Sequence, residues 1–342
     1  MSTATISIKE QWEQLKTENP KMRIRDAAKH LNVSEAELLA TNVGNGVTVL
    51  EGDWKEFLVE VLALGKVMAL TRNDDAVHER KGIYDNITYQ GPVGTALNAD
   101  IDLRLFMMHW GAGFAVNEND RYSFQFFDKA GEATHKIYAT DDTNMEAYHA
   151  LAKKYTAAEQ SATLSVTPYP AKAADKADSD IDVAAFQHDW QEIKDTHEFF
   201  GMLGKHGVGR HQAMRLAPAE FVKQVPNDTM RKVLTMAAER NVPIMVFVGN
   251  RGCIQIHTGE VKKVMEAGPW FNVLDPDFNL HVRENAIANS YIVKKPSVDG
   301  MITSLEVYDA AGEMIVQFFG KRKPGIPELA EWRTLVNDLT QF

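Results

Sequence analysis

VMALTRNDDAVHERKGIYDNITYQGPVGTALNADIDLRLF, residues 67–106, is written a second time as IMVFVGNRGCIQIHTGEVKKVMEAGPWFNVLDPDFNLHVR, residues 244–283. Laid residue on residue without a gap, Asn73 meets Asn250, Gly82 meets Gly259, and Gly91-Pro92 meets Gly268-Pro269. Leu97, Asp100 and Leu103 then meet Leu274, Asp277 and Leu280. Further on, YSFQFFDKAGEATHKIY (122–138) lies on TSLEVYDAAGEMIVQFF (303–319), with Asp128, Gly131 and Glu132 on Asp309, Gly312 and Glu313. Upstream, QWEQLK (11–16) lies on DWQEIK (189–194), which aligns Trp12 with Trp190. A match of this length is a duplication. It divides the chain into an N-terminal repeat (1–160), a linker (161–182, containing TPYPAKAADKADSDID) and a C-terminal repeat (183–342).

Each repeat opens with segments of helical period, such as QWEQLKTENP, RIRDAAKHL and SEAELLA in the first. Short alternating runs follow: KVMALTRN, IDLRLF, RYSFQFFD and THKIYA, then PIMVFVGN, FNLHVRE, ITSLEVYD and IVQFF in the second copy. Glycine in the short loops between them indicates hairpins. MEAYHALAKKY and PELAEWRTLVNDL close the repeats as helices. Strands grouped together, rather than alternating with helices, predict an antiparallel sheet and an α+β class.

Composition narrows the function. With 342 residues, 44% hydrophobic and 25% charged, the chain is an ordinary soluble globular protein of about two domains. It has no apolar run of about 18 residues, so it is not expected to be membrane-embedded. MSTATISIKEQWEQL lacks the features of a signal peptide, so the expected compartment is the cytoplasm. A formal net charge of −10 argues against nucleic acid as a partner. Cys253 is the single cysteine, which excludes an intrachain disulfide and an iron–sulfur cluster. Its setting in FVGNRGCIQIH predicts a buried structural thiol.

Local motifs give little else. MRIRDAAKHLNVSEAELLA has the outline of a helix-turn-helix, but its would-be reading helix carries Glu35 and Glu37 and no cation, so a plain helical hairpin is expected. GMLGKHG lacks the spacing of a phosphate-binding loop, and His206 and His211 do not share a helical face. The distinctive residue is His197. Phe186, Trp190, Ile193, His197 and Phe200 form one stripe at helical spacing, with the imidazole at its centre and Gly201 and Gly204 set to end the helix. The stripe suits a core histidine or an axial ligand on an apolar wall. The first copy has Asn19-Pro20 at this place, which argues for one specialised site per chain. Arg210, Arg215, Lys294, Lys295 and GKRKPG (320–325) supply cations that could meet carboxylates or form a solvated surface.

DTHEFFGMLGKHGVGRHQAMRLA, DIDLRLFMMHW and QFFGKRKPGIPELAEW resemble the bacterial cytoplasmic haem-utilisation proteins called hemin-degrading factors, over nearly the whole chain. The resemblance implies two tandem repeats, each a large antiparallel sheet with flanking helices, and one haem in a cleft between the halves. It implies His197 as the iron ligand and Arg104 as the distal residue and the catalytic candidate, stabilising charge that develops on that side. Met245, Phe247 and Gln317 are the implied pocket residues, with Arg210, Lys295 and Arg322 near the propionates. Phe319 departs from relatives that can carry a tyrosine there. The implied activity is haem-oxygenase-like degradation releasing iron, with an external electron donor because the sequence holds no flavin or iron–sulfur module. The alternative is a non-catalytic chaperone. The implied partners are an inner-membrane haem importer or a downstream haem acceptor.

Overall fold

The computed structural model describes residues 6–20, 22–323 and 325–341. Pro324 of the basic stretch and residues 1–5 of the expected leaderless N-terminus lie outside them. The first half of the chain carries helices α1 (Ile8–Glu18), α2 (Ile24–Leu31), α3 (Glu35–Ala40), α4 (Trp54–Glu60) and α5 (Met145–Lys154). Its strands are β1 (Val47–Leu50), β2 (Gly65–Arg72), β3 (Ala76–Ile83), β4 (Ile87–Gln90), β5 (Val93–Leu97), β6 (Asp102–Phe106), β7 (Trp110–Glu118), β8 (Arg121–Asp128) and β9 (Ala133–Thr143). The second half carries α6 (Val183–Gln191), α7 (Glu198–His206), α8 (Arg210–Leu216), α9 (Thr229–Arg240) and α10 (Ala330–Thr340). Its strands are β10 (Val222–Val225), β11 (Ile244–Gly249), β12 (Cys253–Gly259), β13 (Val264–Ala267), β14 (Trp270–Leu274), β15 (Phe278–Arg283), β16 (Asn289–Lys295), β17 (Ile302–Tyr308) and β18 (Met314–Gly320). They form two nine-stranded sheets, ordered β1-β7-β8-β9-β2-β3-β15-β14-β13 and β10-β16-β17-β18-β11-β12-β6-β5-β4. Neighbouring strands such as β1–β7, β8–β9, β11–β18 and β16–β17–β18 pair antiparallel, as the grouped alternating runs predict.

The chain folds as two compact units whose boundaries are not linear. The first takes residues 1–72, 79–170 and 250–255; the second takes 73–78, 171–249 and 256–342. Each repeat thus lends one β-turn segment to the other's unit, and the aligned asparagines hold these segments in place. Within the second unit, Asn73 Nδ2 donates to the carbonyls of Gly249, Met314 and Ile315 at 3.2, 3.5 and 2.9 Å. Within the first, Asn250 Nδ2 donates to Arg72, Ala133 and Thr134 at 2.9, 3.4 and 2.9 Å, the same positions one repeat away. Both Oδ1 atoms also cap their own turns, accepting from the second and third following amides.

In the first unit, Ser34 and Glu37 form a capping box that starts α3. Glu35 of that helix is buried and bonded to Lys136 Nζ at 2.6 Å, which packs the expected helical hairpin against β9. Cys253 is fully buried, its Sγ accepting from Thr71 Oγ1 at 3.4 Å, and burial pushes the thiol up to about 12. That is the inert structural thiol its setting predicts.

In the second unit, α9 and α10 cover one face of the sheet, where Ile244, Val246, Val248, Leu305, Val307 and Phe318 meet Val233, Leu234 and Trp332. Helices α6 to α8 cover part of the opposite face, with Phe186, Trp190 and Phe199 against Tyr291, Val293 and Tyr308. Trp190 is fully buried and donates Nε1–H to the Lys294 carbonyl at 3.1 Å. Losing such a ring costs roughly 3–5 kcal/mol.

The helical stripe through His197 is not continuous. Phe186, Trp190 and Ile193 are buried as expected, but α6 stops at Gln191, and α7 starts anew after a turn over 192–197. Phe200 is 64% exposed. The cause is local. Glu198 Oε2 accepts from the amides of Lys194 and Asp195, and Asp195 Oδ1 accepts from the amide of His197, an acidic turn that competes with helix continuation. The expected ending at Gly201 or Gly204 is also corrected: α7 runs through both and stops at Gly207, whose φ of 64° is the left-handed C-cap conformation.

Candidate functional site

The turn that ends the stripe puts His197 at the N-cap of α7 with its side chain 88% exposed. Its imidazole does not swing freely. Nδ1 lies 2.6 Å from Asp195 Oδ1, the oxygen that also accepts the His197 amide at 2.8 Å. One carboxylate oxygen therefore fixes backbone and ring together and leaves Nε2 as the ring nitrogen for another partner. Those two bonds, backbone first, hold the Asp195 carboxyl below its usual range against a small burial penalty, with the His197 and Arg322 charges adding to the effect.

Strand register assembles the rest from the second unit. Met245 pairs with Phe319, Phe319 with Ser304, and Ser304 with Val293. The neighbouring row is Phe247, Gln317, Glu306 and Tyr291. Directly paired residues of antiparallel strands point to one side. The two rows thus form one sheet face, opposite the α9–α10 core. At one end Tyr291 and Val293 are covered by α6 to α8. At the other end Met245, Phe247, Gln317 and Phe319 are only half-buried, an apolar floor with one amide. The Phe247 and Phe319 rings meet at 5.1 Å and 61°. Phenylalanine at 319 packs on Phe247 and brings no hydroxyl to this face.

Between the two ends sits Glu306, completely buried. Arg210 bonds both its oxygens, at 3.0 and 3.3 Å; Lys295 Nζ donates to it at 2.8 Å and the Tyr308 hydroxyl at 2.5 Å. Burial opposes ionisation of Glu306, but Arg210 and Lys295 outweigh it and hold the carboxyl far below its usual range. Burial likewise pulls the Lys295 ammonium down, with Glu306 opposing. The same cations cap aromatic rings of α7: Arg210 lies 5.6 and 5.0 Å from the Phe199 and Phe200 ring centres, and Lys295 lies 4.2 Å from that of Phe199. Both residues read in the sequence as anion partners therefore already share an internal carboxylate. Arg215 pairs with Asp178.

Arg322 differs. Its Nη2 meets Asp299 Oδ2 at 3.3 Å, while Nε is buried and has no hydrogen-bond partner among the described residues. Arg104 belongs to the first unit, on β6 opposite Thr95 of β5. Its side chain is one-third exposed, and Nη1 bonds the Asp102 carboxylate and the Leu103 carbonyl. Burial raises the Asp102 carboxyl, and Arg104 opposes that rise.

Sequence reasoning misses Asp195 and Glu306. The first stands two residues before the histidine in DTH, a spacing that could have flagged it. The second is a lone acid in ITSLEVY, in phase with Ser304 and Tyr308.

Comparisons with known proteins agree on the kind of molecule. The model of the haemin-degrading HemS/ChuX domain matches residues 32–155 and again 207–339, one match per repeat. The hemin transport protein HemS of Yersinia enterocolitica is 39% identical over 96% of this chain and 95% of its own length. The crystal structure of holo-PhuS, a heme-binding protein from Pseudomonas aeruginosa, superposes with a TM-score of 0.95 at 45% identity, covering 97% of this chain and 98% of that one. ChuS, an E. coli heme oxygenase, gives a TM-score of 0.87 at 35% identity, covering 98% and 100%.

Proposed function

The chain belongs to the haemin-degrading HemS/ChuX family, and on that premise we propose that it binds haem in the cytoplasm as part of haem uptake and iron acquisition, and degrades it oxidatively to release iron. The observation that carries the reading is the exposed, carboxylate-anchored imidazole of His197, whose Nε2 is the ring nitrogen left for iron. Three further features fit a porphyrin. Met245, Phe247 and Phe319 offer an apolar floor for the macrocycle. Phe200 is a large exposed ring three residues from the ligand, and the buried orphan Nε–H of Arg322 suits a propionate oxygen. Arg210 and Lys295 support the site from below, by fixing α7 through Phe199 and Phe200.

Haem supplies the redox chemistry when bound, and electrons come from an external donor. The chain's own part is to orient the imidazole, exclude water from the apolar face and present a guanidinium. Arg104 is the residue proposed for that last role. Its bond to Asp102 keeps it oriented and leaves the other guanidinium nitrogens for a developing negative charge. The exposure of His197 also favours a second reading, a carrier that hands haem on, because an exposed side chain would release a bound group easily. An inner-membrane importer is the proposed source and a downstream haem protein the proposed recipient.

Titration of the intact chain with ferric haem tests binding through growth of a Soret band at one equivalent. Addition of ascorbate then separates the readings. Loss of the band with release of chelatable iron supports degradation. A stable band with transfer to an apo-acceptor supports the carrier.

A further inference from the structure

Resting on the haem reading above, we propose that Asp195 is a positioning residue that sets the donor strength of the His197 ligand. The observations are geometric. A single oxygen, Oδ1, accepts from the His197 amide at 2.8 Å and lies 2.6 Å from Nδ1. This pair of hydrogen bonds selects one tautomer, with the proton on Nδ1 facing the carboxylate and the lone pair on Nε2. A full carboxylate behind a metal-bound imidazole draws that proton toward itself and gives the ring imidazolate character. This strengthens the bond to ferric iron more than to ferrous iron. The turn is built to keep Asp195 in place. Its amide and that of Lys194 are held by Glu198 Oε2, and the Lys194 carbonyl accepts from the Val298 amide at 2.9 Å. The first copy has no equivalent, because Asn19 is the C-cap of α1 there and Pro20 follows it.

Asparagine and alanine separate position from charge. Asp195→Asn keeps an Oδ1 that can accept from both the amide and Nδ1, without the negative charge. Asp195→Ala removes both bonds. The full-length protein and both variants are loaded with ferric haem, and three quantities are read: haem affinity, the haem reduction midpoint, and the iron–histidine stretching band of the ferrous form. In Asp195→Asn the proposal expects an iron–histidine band that persists but moves to lower frequency. It also expects a higher midpoint and haem affinity reduced on the order of 10-fold. Asp195→Ala should lower affinity further and broaden the band, and Asp195→Glu should recover part of the midpoint. If Asp195→Asn matches the wild type in band and midpoint, Asp195 is only a loop cap and the proposal is overturned, while His197 ligation stands. If His197→Ala in parallel leaves the wild-type band in place, another residue holds the iron and the reading of His197 as the ligand fails, and the two failures are thereby distinguished. Circular dichroism of the apo forms shows that each variant is folded.

Discussion

Glu306 is the residue whose loss should disturb the second unit most for the smallest change in shape. Glu306→Gln keeps the volume, so no cavity forms, and removes only the charge. In the structure that charge is shared by Arg210, Lys295 and the Tyr308 hydroxyl, all within 3.3 Å of a carboxylate with no exposed surface. Removing one partner of such a buried set leaves two cations without their counterion and costs about 3–5 kcal/mol, far above the worth of an exposed pair. The assay is urea unfolding of wild type and variant across pH. The sign follows from the depressed carboxyl. Its contribution is fully present above the usual value of 4.5 and is lost as pH falls through the folded value, so the two proteins should converge under acid conditions. Burial already lowers the Lys295 ammonium, so the deficit should also shrink at alkaline pH as that residue sheds its proton. A deficit below about 1 kcal/mol at neutral pH would refute the claim that this cluster holds α7 and α8 on the sheet.

Asn73→Ala and Asn250→Ala should cost similar amounts, about 2–3 kcal/mol each from several lost, partly buried bonds, and a large asymmetry in thermal unfolding would show that the exchanged segments are not equivalent anchors. Glu328 has a carboxyl pushed by burial up to about 7, against the Thr303 amide bond. Because its folded value lies above the unfolded 4.5, its contribution is present at low pH and lost as pH rises between these values. Glu328→Gln should flatten that slope and unfold at higher urea than wild type at pH 8, and an unchanged slope would contradict it. Arg104→Ala should leave haem bound while slowing ascorbate-driven breakdown, by roughly 10²-fold at most, and full turnover would remove Arg104 from the chemistry.

The duplication is legible because both copies preserve the same turn and hairpin residues. Asn73 and Asn250 show why: each donates to three backbone carbonyls at equivalent places in the two copies, a task that tolerates little change of side chain. What the linear comparison cannot reveal is that these residues serve the opposite unit, since a match between copies is silent on which sheet a turn joins. The floor residues Met245, Phe247 and Gln317 come from resemblance, and the burial alternation of β11 and the register with β18 place them on one face. The setting of His197 escapes periodicity, which scores Phe186 to Phe200 as one helix. Glu198 takes the Lys194 and Asp195 amides and Asp195 takes that of His197, and this local chemistry outweighs the apolar phase. Arg210 and Lys295 read as cations for a ligand's carboxylates or for a solvated surface, because their internal acceptor, Glu306, lies 96 residues from one and on another strand from the other.

The central claim is that His197 ligates haem iron through Nε2. Titrating wild type and His197→Ala with ferric haem under identical conditions, and comparing Soret position and affinity, tests it most directly. The account predicts that the variant binds at least about tenfold more weakly, with a shifted ferric spectrum. A variant with wild-type affinity and an unchanged spectrum would place the ligand elsewhere in the chain.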